Sequence, residues 1–230
     1  VIWPRMPDDM KPRLRDSADA ADAAIPGPAG WQAQKSASTR LQIVESALRC
    51  VVDLGYSCTT TPVIAEKAGL SRGAMLHHFP SKIDIVRAAV EHLHSKRLKA
   101  FRKAIDKLPR DETRVRRALE AYFEHVKHPM YVAFLELWVA SRTDPELQSI
   151  LKPAQEAFER EWYKTAVDLF PEWEGSGTNF DIALDLVHYV MDGLAVSLLT
   201  HDIGEHERRM VSYLEDRLRE LAGKPALARA

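Results

Sequence analysis

Between Gly55 and Pro80 the chain is punctuated so closely that it can form only two very short helices, which must be held by longer ones on either side. Thr59, Thr60 and Thr61 offer capping hydroxyls, Pro62 suits a first helical turn, and residues 63–68 read as barely two turns stopped by Gly69. Ser71 can cap a second short helix over residues 72–79, which Pro80 terminates. Upstream, Leu41, Val44, Ala47, Leu48, Val51 and Leu54 recur at helical spacing before Gly55. Downstream, Ser81 and Asp84 form a capping pair for a long helix with the stripe Ile83, Val86, Val90, Leu93, Phe101 and Ile105, ended by Pro109.

The two short helices meet the physical requirements of a helix-turn-helix. Ile64, Ala68, Leu70 and Met75 are apolar on the faces that must pack together, and Ala65 is small at the closest approach. With those inward, helical geometry turns Ser71, Arg72, Gly73, Leu76 and His77 outward, as the face that enters a major groove. Arg72 can place two donors on a guanine, Gly73 permits close backbone approach, and Leu76 can meet a thymine methyl. His77 suits a base edge or a phosphate. Thr60, Thr61, the amides opening the first short helix, and Lys82 suit phosphate oxygens. His78 either joins this surface or packs between the flanking helices.

Charge supports the same division. The formal net charge is -1, yet residues 35–107 carry 13 basic and 6 acidic side chains, while residues 108–230 carry 15 and 22. A positive end suited to a polyanion is thus joined to a negative one. Residues 1–36, rich in Ala, Asp and Pro without apolar periodicity, read as a disordered arm. Residues 37–82 read as the DNA-binding module and residues 83–230 as a second domain, the helix after Ser81 linking the two. Further helix candidates cover residues 111–128, 130–143, 145–170, 179–201 and 205–222. The expected fold is all-α with about nine helices, since no alternating strand pattern or fixed-period repeat occurs.

Within residues 40–90 the sequence resembles the TetR/AcrR family of bacterial transcriptional regulators, through Arg40, Ile43, Ala47, Gly55-Tyr56, Thr59, Ile64-Ala65, Ala68-Gly69-Leu70-Ser71, Gly73, His78-Phe79 and Ser81-Lys82. The resemblance implies a homodimer on a palindromic double-stranded operator, usually repressing, released when a small molecule enters the C-terminal domain. Leu76 departs from the tyrosine most common at its position, so a phosphate contact through that phenol does not carry over.

The C-terminal half must be read from its own residues. Residues 130–140 are apolar nearly all round, which predicts a helix central to its domain. Phe123, Met130, Phe134, Trp138, Phe158 and Trp162 are candidates to line a cavity for a mostly apolar effector, with Tyr122, Glu136 and His188 as polar anchors. Leu184, Val187, Met191, Leu194 and Leu198 form one stripe, and Val211, Leu214, Leu218 and Leu221 a second. Paired about a two-fold axis, they predict a four-helix dimer interface, the alternative being a monomer that buries both stripes internally. An effector that tilts the linking helix would change the spacing of the two reading heads.

Competing function classes find less support. Cys50 and Cys58 are the only cysteines and have no metal or redox spacing, and His77-His78 and His92-x-His94 diverge on a helix. No nucleophile elbow or phosphate-binding glycine loop occurs, so no catalytic residue, metal or cofactor is expected. No apolar run reaches bilayer length and Asp8, Asp9 and Asp16 interrupt the N-terminus, so the expectation is a cytoplasmic protein without a membrane partner. The alternative is an architectural DNA-binding protein without effector, which would lack a cavity and bind through its basic region with weak sequence preference.

Overall fold

The linking helix that begins after Ser81 organises the molecule. In a computed structural model that describes residues 28–223, the elements are α1 (Pro28–Leu54), α2 (Thr61–Lys67), α3 (Arg72–His78), α4 (Lys82–Asp106), α5 (Arg114–Val126), α6 (Pro129–Ser141), α7 (Pro145–Leu169), a 3-10 turn (Pro171–Trp173), α8 (Thr178–Leu198) and α9 (Gly204–Leu221). No strand occurs among the described residues, in keeping with the all-α expectation. α4 packs against α5, α6 and α7, and α5 packs against α8 and α9.

α1 begins earlier than its apolar stripe. Residues 28–36, expected to be disordered, are its first turns. Pro28 fits a first helical position, and Ala29, Gln32, Ala33 and Lys35 are good helix formers. Helix made by propensity alone leaves no apolar period to detect. Residues 1–27 of the expected arm lie outside the described residues. From Ser36 onward the chain forms one compact unit.

Gly69 makes the turn between α2 and α3. Its φ is +65°, and two reverse bonds close the end of α2: Leu70 N–H to Ala65 O at 2.9 Å and Gly69 N–H to Glu66 O at 3.0 Å. A Cβ at Gly69 would meet nothing within 4 Å, so substitution is opposed by backbone conformation and not by crowding. Gly69→Ala is expected to destabilise the protein by about 1–2 kcal/mol in urea denaturation, the cost of the left-handed region for a residue with Cβ. The inward faces form as expected: Ile64 and Met75 are 0% exposed, Ala65 and Ala68 are buried, and Leu70 is half-buried. Each such large apolar side chain contributes about 1.5–3 kcal/mol by leaving water.

The dimer expectation needs correction on α8 and α9. Met191, Val211, Leu214 and Leu218 are buried within their own chain, Leu184 and Val187 line an internal cavity, and Leu194, Leu198 and Leu221 are half-buried. An apolar stripe reports that a face is covered, not which chain covers it, and here α5 and the neighbouring helix of the same chain do so. The exposed apolar side chains are instead Ile182, Tyr189 and Val196 on α8, Leu199 just after it, and Tyr213 on α9. Residues 182, 186, 189, 193 and 196 follow alternating steps of four and three, the spacing of a coiled-coil seam. α6 shows a similar departure: Tyr131, Phe134 and Leu137 are buried as befits a central helix, but Trp138 and Val139 stand exposed.

Candidate nucleic-acid interface and ligand cavity

α1 clamps the ends of both short helices. Gln42 Nε2 donates to the Ala68 carbonyl at 2.7 Å, where α2 stops. The Arg40 guanidinium donates to the His78 carbonyl, where α3 stops, and lies 4.0 Å from the centre of the Phe79 ring. Neither clamp follows from apolar periodicity, because both are polar contacts to main-chain carbonyls.

So held, α3 presents Ser71, Arg72, Gly73, Ala74 and His77 to solvent, with Leu76 and His78 half-buried beside them. Ser71 oxygen accepts from Ala74 N–H at 3.1 Å and starts the helix. A Cβ on Gly73 would meet no protein atom within 4 Å, so the fold itself has no need of glycine there. Ala74 belongs to this exposed face although the helical-wheel argument did not single it out. Thr60 precedes α2 with extended backbone and makes no capping bond through its hydroxyl, and Thr61 is half-buried.

Lys82 is placed differently from a free surface cation. Its Nζ donates to the Tyr56 carbonyl at 3.1 Å and sits 3.9 Å from the Tyr56 ring centre, and burial lowers its pKa. Tyr56 is the hub of a polar bridge. Its N–H donates to Glu136 Oε1 of α6 at 2.9 Å and its hydroxyl to Asp144 at 3.3 Å, with burial and Asp144 raising its pKa to about 12. Glu136 is therefore a link between the two halves of the protein and not an anchor inside the cavity.

The cavity lies between α4, α5, α7, α8 and α9, with about 670 Å³ not filled by atoms, part of it open to solvent. Phe101, Leu119, Tyr122, Trp162, Phe180 and His188 are among the side chains that line it. Tyr122, Trp162 and His188 were expected there. Phe123, Met130, Phe134, Trp138 and Phe158 do not line it: Phe123, Phe134 and Phe158 are packed core, Met130 is half-buried and Trp138 is exposed. Aromatic content located the domain's apolar interior, but only packing decided which rings face empty space. Leu119, Phe180 and Phe101 went unnoticed as lining because their spacing is that of ordinary core.

Beside the cavity lies a buried polar layer. Tyr122 Oη is 3.5 Å from His188 Nδ1, His188 Nε2 is 3.6 Å from Asp192, and the Tyr131 hydroxyl donates to Asp192. Desolvation lowers the pKa of both His94 and His125 to about 4, and the nearby Arg97 charge adds to this. Both imidazoles are therefore neutral in the fold at neutral pH. In the unfolded chain they protonate below about 6.5, so the unfolded state binds more protons in the window between the two values. Stability is fully present above pH 6.5 and falls as pH drops toward 4, by on the order of 3 kcal/mol for His94. Urea denaturation from pH 7.5 to 4.5 checks this, and His94→Phe is expected to flatten part of the slope.

Among the described residues no helix is long and apolar enough to cross a membrane, and no group of three or more His, Cys, Asp or Glu side chains could hold a metal. Residues 43–89, which run from α1 through α2 and α3 into α4, match the family described as bacterial regulatory proteins, tetR family. An HTH-type transcriptional regulator of Mycobacterium tuberculosis is 25% identical over 170 residues, covering 72% of this chain and 85% of its own. The HTH-type transcriptional regulator CymR of Pseudomonas putida is 28% identical over 192 residues, covering 80% and 91%. A transcriptional regulator from Saccharomonospora viridis, solved in complex with choline, superposes with a TM-score of 0.59 at 21% identity, over 78% of this chain and 95% of that one. The clamped helix-turn-helix lies within the matched segment, so residues 43–89 are a DNA-binding module of the tetR family of bacterial regulatory proteins, in a chain similar over most of its length to HTH-type transcriptional regulators.

Proposed function

We propose that this regulator is a homodimeric repressor of a palindromic operator, released by a small, largely apolar molecule that enters the cavity beside α4. The observation that carries the DNA half is the α3 face: Ser71, Arg72, Gly73, Ala74 and His77 are exposed while Met75 and Ile64 behind them are fully buried. The face is rigidly backed and open outward, the arrangement needed to press into a major groove. Arg72 and His77 are the base readers, Gly73 admits the backbone, Leu76 offers an apolar contact, and Thr60 and Thr61 bond phosphate. Selection of bound duplexes from a random pool tests this: a palindrome with half-sites about one helical turn apart, or a multiple, is the expected result. A non-palindromic or featureless pool would favour the architectural alternative, against which the cavity already weighs.

The outer face of α8 with Tyr213 of α9 is the proposed dimer surface. The cavity reading is supported by its apolar lining and by the place of α4, which carries Lys82 at the DNA-binding end and Phe101 at the cavity. Movement at Phe101 reaches the reading heads along α4 and through the Tyr56 bridge to Glu136 and Asp144. Glu136→Gln with Tyr56→Phe is expected to leave ligand affinity nearly unchanged but to reduce ligand-induced loss of operator affinity, by a coupling of about 1–3 kcal/mol. Titrating operator with and without ligand measures it.

A further inference from the structure

Arg97 is 3% exposed, on α4 one turn before Phe101. Its guanidinium carbon lies 4.2 Å from the Phe134 ring centre, 4.6 Å from Phe158 and 4.8 Å from Tyr131. The ring faces stabilise the cation but accept no conventional hydrogen bond, and Nε and Nη1 are buried without a partner. No ion pair reaches Arg97 among the described residues; Asp192 is engaged by the Tyr131 hydroxyl and His188. His94 Nε2 and His125 Nε2, close enough to feel the Arg97 charge, are likewise buried and unpartnered. A fixed charge buried this deeply without a counter-ion is unfavourable unless something pairs with it.

These groups do not themselves line the cavity but lie behind its aromatic wall. Phe101 stacks on Trp162 at 4.2 Å, Trp162 on Phe158 at 5.8 Å, and Phe158 carries Arg97. Tyr122, which lines the cavity, is 5.4 Å from Trp162 between ring centres. An apolar chamber is thus continued by a layer holding one unpaired cation and two open imidazole nitrogens.

We infer that the effector is an amphiphilic monocarboxylate whose head group pairs with Arg97, assisted by His94 and His125, while its hydrocarbon body lies against Phe101, Tyr122 and Trp162. A carboxylate supplies a full negative charge and two oxygens that can accept from the unpartnered Nε and Nη1, where an alcohol supplies one weak acceptor and a quaternary ammonium is repelled. The inference rests on the cavity being the effector site and specifies the chemistry of its ligand.

The test uses full-length protein at pH 7.5, titrated calorimetrically with hexanoate, octanoate and decanoate, the matching 1-alkanols, and octyltrimethylammonium. The best alkanoate is expected to bind about 10- to 100-fold tighter than its alkanol, the worth of charged hydrogen bonds, with the ammonium weakest. Arg97→Met is expected to bring the alkanoate down to the level of its alkanol, to leave alkanol binding intact, and to raise the melting temperature of the free protein by removing an unpaired charge. Arg97→Gln serves the same comparison if the Met variant does not fold. Alkanols that bind and release operator as well as alkanoates do would overturn this inference and leave the cavity reading standing. Absence of binding by every amphiphile would sink both. An alkanoate preference that survives both Arg97 substitutions would also overturn it, as would a lower melting temperature for a folded Arg97→Met.

Discussion

Arg72→Ala is expected to weaken binding to the selected operator by about 1–3 kcal/mol per half-site, while binding to random duplex falls far less. Arg72 is exposed on α3 and forms no hydrogen bond or ion pair among the described residues, so its removal should not disturb the fold. The loss should be confined to one base pair in each half-site, because a bidentate guanidinium reads a single guanine. Fluorescence anisotropy with every single-base variant of the operator measures it. An equal loss on cognate and random duplex would instead make Arg72 a phosphate contact. The salt dependence separates the two readings: loss of a phosphate contact flattens the slope by about one unit, and loss of a base contact need not.

Val196→Asp is expected to convert a dimer into a monomer at micromolar concentration. Val196 is 52% exposed in the single chain and lies at the heart of the 182, 186, 189, 193, 196 seam. In a two-fold pairing each dimer would lose two buried valines, at about 1.5–3 kcal/mol each, and gain two carboxylates facing each other. The dissociation constant should rise at least about 100-fold. Sedimentation velocity reads the association state, and circular dichroism should be unchanged because an exposed residue is replaced. Operator affinity should fall with dimerisation, since one α3 per duplex abandons the second half-site. A dimer that persists through Val196→Asp and Tyr189→Asp would place the interface elsewhere.

These two predictions differ in how far the sequence alone leads to them. The α3 face follows from punctuation: Gly69, Ser71 and Pro80 delimit a helix so short that its inward positions, and hence its outward ones, are forced. The proposed dimer face does not follow, because both sides of α8 are apolar. The side with larger aliphatic residues, Leu184, Met191 and Leu198, is the one that a moment argument selects, yet the fold spends it internally against its own helices. Cavity residues fall between these cases. Tyr122, Trp162 and His188 were legible as aromatic or polar interruptions, whereas Glu136 was misplaced because a carboxylate in an apolar helix looks like a ligand anchor until Tyr56 is found against it.

Residue order alone determined the all-helical class, the helix-turn-helix and the orientation of its reading face, because these depend on contacts within a few turns of chain, where spacing and capping govern geometry. Tertiary structure alone decided which apolar faces meet each other and which meet solvent, which rings border empty space, and that Arg97 sits among three aromatic rings with open donors. Those features join residues on different helices, far apart in the chain, and a local period carries no information about a partner at that distance.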